Sequence, residues 1–347
     1  MTPTLPSLGI GIVTYNSMRH IDRCLESVLT ASEGLDTDLV VVDNASTDGT
    51  PQHLREHWAP LGVRIILREE NVGYAGGVNT IARSVHGDVI AFLNPDLTLN
   101  PDTIRKALEY LAANPQVGLV GGDLHDLDGI STMVYGALPT PWRLHYAYSG
   151  LRRIWLNPSW DMGRGLSPGM HQPFGVGYPC GAMWFVRREA WNEVGPFDER
   201  YFLYFEETDW ATRCHKTHWK VMVNPAIVAT HEGAGSTPKD LEAQTMMFAR
   251  FFRSAFQYLA KHFGVRAARR TYRQMLATLH FKQALLELFA ANPVRESQVV
   301  IRSGMERNET FVMGPDLSGD PTLVLRPPSP AEEVQGPACI PTAVASG

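Results

Sequence analysis

"VIAFLNPDLTLNP", residues 89–101, runs five apolar residues into an abrupt polar stop at Asn94, Pro95 and Asp96. Val89, Ile90, Ala91, Phe92 and Leu93 show no polar alternation, which is the pattern of a strand covered on both faces. Asn-Pro-Asp is favourable turn chemistry. It also places a carboxylate at the carboxyl end of a central strand, where open α/β sheets bind ligands. The stretch is therefore either a plain turn or a turn that holds a ligand-binding carboxylate.

The same strand-then-polar pattern recurs on the amino-terminal side. "SLGIGIVTYN" (7–16) is a short apolar strand closed by polar residues, and "SMRHIDRCLESVLTA" (17–31) puts Ile21, Leu25, Val28 and Leu29 on one helical face. "DLVVVDNAS" (38–46) is a second buried strand ending at Asp43, followed by a helix over "DGTPQHLREHW" (48–58) with Asp48 as its cap. "VRIILRE" (63–69) is a third strand, and "GGVNTIARSVH" (76–86) a helix. After the fourth strand, "NPDTIRKALEYLAAN" (100–114) reads as a helix with Asn100 as cap and Pro101 at its first position, and "VGLVGG" (117–122) as a fifth strand. Alternating strands and helices predict an α/β fold with a mostly parallel, doubly wound sheet.

From about 126 to 178 the regularity stops, in a stretch rich in Trp, Tyr, Pro and Gly such as "TPWRLHYAYSGLRRIWLNPSWDMGRG" (140–165). A long irregular segment of this kind is usually functional or mobile. Order returns in "GAMWFVRREAWNEVG" (181–195) and "WKVMVNPAIVATHEG" (219–233), and residues 240–290 read as helical. After about 304 Pro, Gly and Ser dominate, the composition of a disordered tail.

Polar residues gather at the predicted strand ends: Thr14, Tyr15 and Asn16 after the first, Asp43 and Asn44 after the second, "NVGYAGGVN" (71–79) after the third, Asn94 and Asp96 after the fourth. Parallel strands point the same way, so these groups converge on one rim, a crevice suited to a nucleotide. A dinucleotide fold needs G-x-G-x-x-G after its first strand. Here Thr14 stands where the third glycine belongs and the glycines lie inside the strand; the P-loop pattern is absent as well. A diphosphate would then need a cation, and Asp96 can hold one. The alternative for each residue is structural: Asp43 as a turn cap, Gly73, Gly76 and Gly77 as backbone punctuation, Asn71 and Asn79 as turn residues.

A second constellation follows the aromatic run at 201–205. Glu206, Glu207 and Asp209 lie within four residues. Crowded carboxylates beside apolar rings lose solvation and gain pKa, a route to a general base; the alternative is a solvated acidic helix start. His231 closes the apolar run "AIVAT". Net charge of −5 argues against a nucleic-acid partner. Cys24, Cys180, Cys214 and Cys339 are widely spaced, which disfavours a zinc ribbon or disulfide scaffold and suits a reducing compartment. No signal-peptide pattern and no apolar run of membrane-span length are present, so the expected location is cytoplasmic. In "FARFFRSAFQYLAKHF" (248–263), Phe248, Phe252, Phe256, Leu259 and Phe263 share one face and Arg250, Arg253 and Lys261 the other. Such a helix either packs on the domain or lies on an anionic membrane surface.

Taken in order, "VTYN", "VVDNASTDGT", "NVGYAGGVN", "FLNPDL", "GAMWFVRREAWNEVGPFDERYFLYFEETDW" and "THEG" resemble the family 2 inverting glycosyltransferases of GT-A fold, and among them the rhamnosyltransferase-like group of cell-surface polysaccharide synthesis. The resemblance covers roughly residues 8–240. It implies a catalytic domain over 1–238, with a nucleotide-sugar half (1–125) and an acceptor and catalytic half (126–238). Amphipathic helices would follow over 239–303 and a largely disordered tail over 304–347. It implies that Thr14, Tyr15, Asn16, Asp43 and Asn44 hold the nucleoside, with Asp43 on the pyrimidine. Asn71, Gly73, Gly77, Asn79 and Asn94 would line the nucleotide-sugar site. Asp96 and His231 would hold a divalent cation, Mg²⁺ or Mn²⁺. Glu207 is the implied base, with Glu206 beside it.

Two departures matter: the metal motif starts with Asn94 where Asp is usual, and Glu206-Glu207 stands where Glu-Asp is commoner, leaving open which glutamate is the base. The implied donor is dTDP-rhamnose, or alternatively a UDP-sugar, and the implied acceptor a saccharide or lipid-linked saccharide, with peripheral contact at the inner face of the cell membrane. A non-catalytic glycan- or nucleotide-binding module is the alternative of another class; it would have lost the base or metal carboxylates, and both are present. The aromatic segment 135–180, including Trp155 and Trp160, is expected to shape the acceptor site.

Overall fold

The computed structural model describes residues 5–132, 134–149, 163–233, 240–289, 292–314 and 317. The strands are β1 (Leu8–Thr14), β2 (Thr37–Asp43), β3 (Arg64–Leu67), β4 (Val89–Leu93), β5 (Leu97–Leu99), β6 (Val117–His125), β7 (Tyr135–Gly136), β8 (Phe174–Gly175), β9 (Tyr178–Pro179), β10 (Met183–Arg187) and β11 (Lys220–His231). The helices are α1 (Ile21–Ala31), α2 (Thr50–His53), α3 (Gly73–Ser84), α4 (Thr103–Ala113), α5 (Pro141–Ser149), α6 (Arg188–Val194), α7 (Glu206–Cys214), α8 (Leu241–Phe263), α9 (Val265–Phe289), α10 (Asn292–Glu306) and α11 (Glu309–Met313).

The main sheet has the order β3-β2-β1-β4-β10-β6-β11-β5, with β8 also paired to β11. It is mixed, which corrects the expectation of a mostly parallel sheet. The pairs β1/β2, β1/β4, β2/β3 and β6/β11 are parallel, while β10 is antiparallel to β4 and β6, and β5 and β8 are antiparallel to β11. The reversal of β10 has a consequence for the site. Met183 pairs with Leu93, so the start of β10 lies at the carboxyl rim of β4, and the Asn94 N–H donates to the Ala182 carbonyl at 2.9 Å.

The path from β4 to β5 bends the whole sheet. Leu93 and Leu97 are four residues apart and span at most about 14 Å. In the sheet order β5 stands four places from β4, about 19 Å across if the sheet were flat. The sheet must therefore curl, and its rim closes around Asn94–Asp96.

The core is built from the expected positions: Ile10, Ile12, Val40, Val41, Val42, Val89, Ile90, Ala91, Phe92 and Leu93 are buried, as are Ile21, Leu25 and Val28 of α1. Leu29 is the exception on that helix and is exposed. α3 starts at Gly73, three residues earlier than the pattern indicated, because the Gly-rich stretch is its first turn. α4 starts at Thr103, not at Pro101. The N-cap position of α2 is Gly49 and not Asp48; Asp48 closes the turn before it, accepting from the Thr50 N–H and hydroxyl at 3.1 and 2.6 Å.

Within the stretch read as irregular, α5 forms over Pro141–Ser149, with Thr140 capping Arg143 N–H at 3.2 Å. Leu144 and Tyr148 of α5 are buried, the latter against Phe248, Phe251 and Phe252. Trp155 and Trp160 lie outside the described residues. Helix continues past the expected tail boundary at 304 through Glu306, and α11 buries Phe311 and Val312; the rest of the expected tail, 318–347, is outside the described residues.

The phenylalanine face of α8 is spent inside the protein. Phe248, Phe252, Phe256 and Leu259 are buried, and Phe251 packs on Phe205 at 5.2 Å between ring centres. The packed alternative for this helix is the one realised, and only Phe263 of that face is exposed. One continuous hydrophobic cluster joins the sheet to α8–α11. Phe252→Ala is expected to cost about 3–5 kcal/mol of unfolding free energy through the cavity it leaves, measurable by denaturant unfolding.

Candidate active site

Register brings the first two strand ends together: Thr14 faces Asp43 across β1 and β2, and Asn44 N–H donates to the Thr14 carbonyl at 2.9 Å. Ser46, not singled out from the sequence, is the hub of this corner. Its hydroxyl donates to Asp43 Oδ2 at 2.6 Å and accepts from Asn16 N–H at 2.8 Å, while its own N–H donates to Asp43 Oδ1 at 2.9 Å. The i to i+3 spacing in an Asx turn was the available signal. Asn16 adopts φ 49 and accepts from Thr47 N–H at 2.8 Å, closing the corner; Tyr15 beside it is half-buried. Burial pushes the Asp43 carboxyl up, only partly offset by Ser46. Thr14 Oγ1 and Asn44 Oδ1 are buried without a protein hydrogen-bond partner, which marks them as groups whose partner comes from elsewhere.

The third strand end divides into two parts. Asn71 Oδ1 accepts from Gly73 N–H at 2.9 Å and starts α3. Gly73 has φ +76 and lies so close to the Phe202 carbonyl that a side chain would collide, and a β-carbon at Gly77 would stand 2.6 Å from Val13 Cγ1. These glycines let α3 approach its neighbours. Asn79 is buried, with its amide nitrogen on the Phe197 carbonyl and Glu199 at 2.9 and 2.8 Å and its oxygen on Phe197 N–H at 2.9 Å. Gly77 and Asn79 are thus placed as scaffold, with no free donor on Asn79 for a ligand.

Asp96 and His231 meet as the sequence indicated. Leu97 pairs with His231 across β5 and β11, and Asp96 Oδ1 lies 3.2 Å from His231 Nε2. Burial pushes the Asp96 carboxyl up, but the charge and hydrogen bond of His231 pull harder, and it ends below its ordinary range. A side chain at Gly233 would collide with Asp96 Oδ2. Glu232 N–H donates to the Asp96 carbonyl at 3.1 Å, and its carboxylate is held by Arg23 and by His20 at 3.1 Å. Among the described residues no group of three His, Cys, Asp or Glu converges as a metal cage. One carboxylate and one imidazole fit a cation that arrives with substrate phosphates and keeps water ligands; they do not fit one enclosed wholly by protein.

Glu206 and Glu207 begin α7, after two non-glycine residues in left-handed backbone, Tyr204 (φ 67) and Phe205 (φ 70). Both carboxylates are buried. Burial, then the charge of Glu207, drives Glu206 far above the carboxylate range; burial raises Glu207 as well, against hydrogen bonds from Thr208. Glu206 Oε2 has no protein partner. Asp209 points the other way: it pairs with Arg213 at 2.9 Å, Lys261 at 2.7 Å and His262 at 2.8 Å. Burial pushes Asp209 up, but the hydrogen bond with His262 and the charges of Lys261 and Arg213 hold it below its usual range. It anchors α7 to α8 and takes no part in the pair.

The pattern of family 2 of the glycosyl transferases ("Glycosyl transferase family 2") matches residues 10–195. The N-acetylglucosaminyl-diphospho-decaprenol L-rhamnosyltransferase of Mycobacterium tuberculosis is 31% identical over 284 residues, 76% of this chain and 87% of that protein. The chain belongs to glycosyl transferase family 2. This glycosyltransferase also shares its fold with a mannosyltransferase from Pyrobaculum calidifontis solved with GDP-Man and Mn²⁺, at TM-score 0.54 and 17% identity over 88% of this chain and 87% of the other. A structure of GalNAc-T7 with UDP, GalNAc and Mn²⁺ superposes at TM-score 0.50 and 13% identity, over 74% and 48% of the two chains. Gly181 lies against Glu207, its neighbour Ala182 accepts from Asn94 N–H, and Asp96 two residues on meets His231, so the carboxylates of α7 and the Asp96–His231 pair lie at one rim.

The raised glutamates predict a stability effect with a definite sign. A carboxyl whose folded pKa lies above its unfolded value stabilises fully below the unfolded pKa, and that stability is lost as pH rises through the folded one. Glu206→Gln removes the penalty of ionising a buried acid. Its Tm should exceed that of wild type at about pH 8 and the gap should close by about pH 4, as read by thermal unfolding.

Proposed function

We propose that this glycosyltransferase transfers rhamnose from dTDP-rhamnose, with inversion, to a lipid-linked saccharide of the N-acetylglucosaminyl-diphospho-lipid class. The observation that carries the chemistry is the buried Glu206–Glu207 pair at the same rim as Asp96 and His231. The sugar and the acceptor are supported by the mycobacterial relative, whose name specifies both. In this reading Thr14, Asp43 and Asn44 hold the base and ribose. Asp96 and His231 would hold a divalent cation, whose chemistry there is to neutralise charge on the departing diphosphate.

Burial raises both carboxyls, and Glu207 is the one whose side chain lies against Gly181, next to the Ala182 carbonyl that accepts from Asn94 N–H. Glu207 therefore takes the proton of the acceptor hydroxyl, which attacks the anomeric carbon opposite the diphosphate. The base must be ionised, so turnover falls as pH drops through its folded pKa. Because that pKa is raised, the acid limb lies above the ordinary glutamate value of about 4.3. Glu207→Gln is expected to lower turnover by more than about a hundredfold with dTDP affinity retained, while Asp96→Ala removes the metal dependence of dTDP binding. Thermal shift with dTDP, UDP and GDP, with and without Mn²⁺, and transfer assays on both variants test this. Stabilisation by UDP in preference to dTDP would overturn the donor, and full activity of Glu207→Gln the base.

Among the described residues no helix is long and apolar enough to cross a membrane. The membrane contact that such an acceptor calls for falls to α9, where Arg266, Arg270 and Arg273 are exposed along one stripe and Phe281 is exposed beyond them. Three arginines at an anionic surface are worth about 3 kcal/mol. The protein should float with phosphatidylglycerol vesicles at low salt, and the triple change of these arginines to Glu should cut partitioning by about a hundredfold. Equal flotation of both proteins would remove the stripe from this role.

A further inference from the structure

Tyr74 carries no role in the reading of the sequence, yet it stands between the two halves of the site. It is the second residue of α3 and is buried. Its N–H donates to the Phe202 carbonyl at 3.0 Å and its hydroxyl to the Gly181 carbonyl at 3.2 Å. The carbonyl of Gly73, next to it, accepts from Asn44 Nδ2 at 2.9 Å. One turn of chain thus touches the end of β2, the approach to α7 and the start of β10. Gly181 in turn lies against the base: a β-carbon there would stand 3.1 Å from Glu207 Cγ and 3.4 Å from its Cβ. Burial, and then the charges of Glu206, Glu207 and Asp96, hold the phenol protonated, so it stays a donor.

We propose that Tyr74 is a positioning residue for the transfer step, its hydroxyl fixing the Gly181 carbonyl and with it the wall on which Glu207 rests. The inference rests on Glu207 being the base. Asn44 and Gly73 tie the same turn to the nucleoside corner, so the base is set relative to the bound donor through a short run of hydrogen bonds. Misplacing a reacting group by about 1 Å can cost a hundredfold in rate, and a lost hydroxyl that leaves the ring in place should cost less.

The test is Tyr74→Phe, assayed for rhamnosyl transfer from dTDP-rhamnose to an N-acetylglucosaminyl-diphospho-lipid, beside Glu207→Gln. The expected result is a kcat lower by about tenfold with KM and dTDP affinity within about twofold of wild type. The acid limb of kcat should move to higher pH, because a Gly181 carbonyl without its donor leaves uncompensated negative potential beside a carboxylate. The titratable groups facing Glu207 are Glu206 on its own helix and Tyr74, Tyr178 and Tyr204, and burial keeps all three phenols protonated. The limb therefore reports the glutamate pair, and a merely structural loss would lower Tm without moving it. Gly181→Ala, which pushes directly on Glu207, should displace the limb with donor affinity intact. Wild-type kcat and acid limb in Tyr74→Phe, or a loss confined to donor affinity, overturns the inference. If Glu207→Gln is inactive in that same experiment, the base assignment stands and only the role of Tyr74 fails; full activity of Glu207→Gln overturns both.

Discussion

Between Leu93 and Leu97 the chain has three residues in which to leave β4 and join the far edge of the sheet. A flat sheet would not permit it. The curl that results draws the carboxyl ends of β4 and β11 toward each other and sets Asp96 against His231. It also lets the reversed strand β10 deliver residues 180–182 to the same rim, where the Asn94 N–H meets the Ala182 carbonyl. The Asp96–His231 pair, the residues behind Glu207 and the corner formed by Thr14, Asp43 and Asn44 are thereby assembled from separated segments. Asn-Pro-Asp is the turn that carries the Asp96 carboxylate to His231.

Holding two glutamates in the interior opposes folding, since each ionised form is poorly solvated there. The structure offsets this behind α7. Trp210 stacks on Trp191 at 5.8 Å and meets Trp184 at 5.6 Å, and Asp209 draws in Arg213, Lys261 and His262. Ser254 and Tyr258 add hydrogen bonds to Leu203 and Thr212 at 2.8 Å each. α8 therefore braces α7: it fixes the helix whose first turn carries the pair and the left-handed residues that lead into it. Strained backbone of this kind persists only where its surroundings over-determine it, and at Tyr204 and Phe205 the surroundings are the aromatic side chains of α8.

The alternation of strands and helices up to about residue 125 was legible because buried strands and amphipathic helices leave plain hydrophobic periods. Asp96 and the two glutamates stood out as carboxylates set beside apolar runs, whereas the place of His231 beside Asp96 was implied only by the family resemblance. Strand direction was not legible. β10 is apolar on both faces, as a parallel strand would be, and nothing local to residues 183–187 records that it runs against its neighbours. α5 was hidden by an aromatic composition that reads as irregular until Leu144, Tyr146 and Tyr148 are seen to be buried.

The sequence by itself determined the fold class, the polar strand ends and the residue types of the chemistry, since these follow from side-chain solvation and short-range spacing. Only the tertiary structure decided which of those residues face one another. Asn79 bonds to Phe197 and Glu199, Gly77 packs closely on Val13, Ser46 and Tyr74 connect separate segments, and the phenylalanines of α8 other than Phe263 are buried. The reason is physical: a hydrogen bond or an ion pair is satisfied by whatever the fold brings within about 3 Å, and for residues 30 to 200 positions apart that proximity is set by the curl of the sheet.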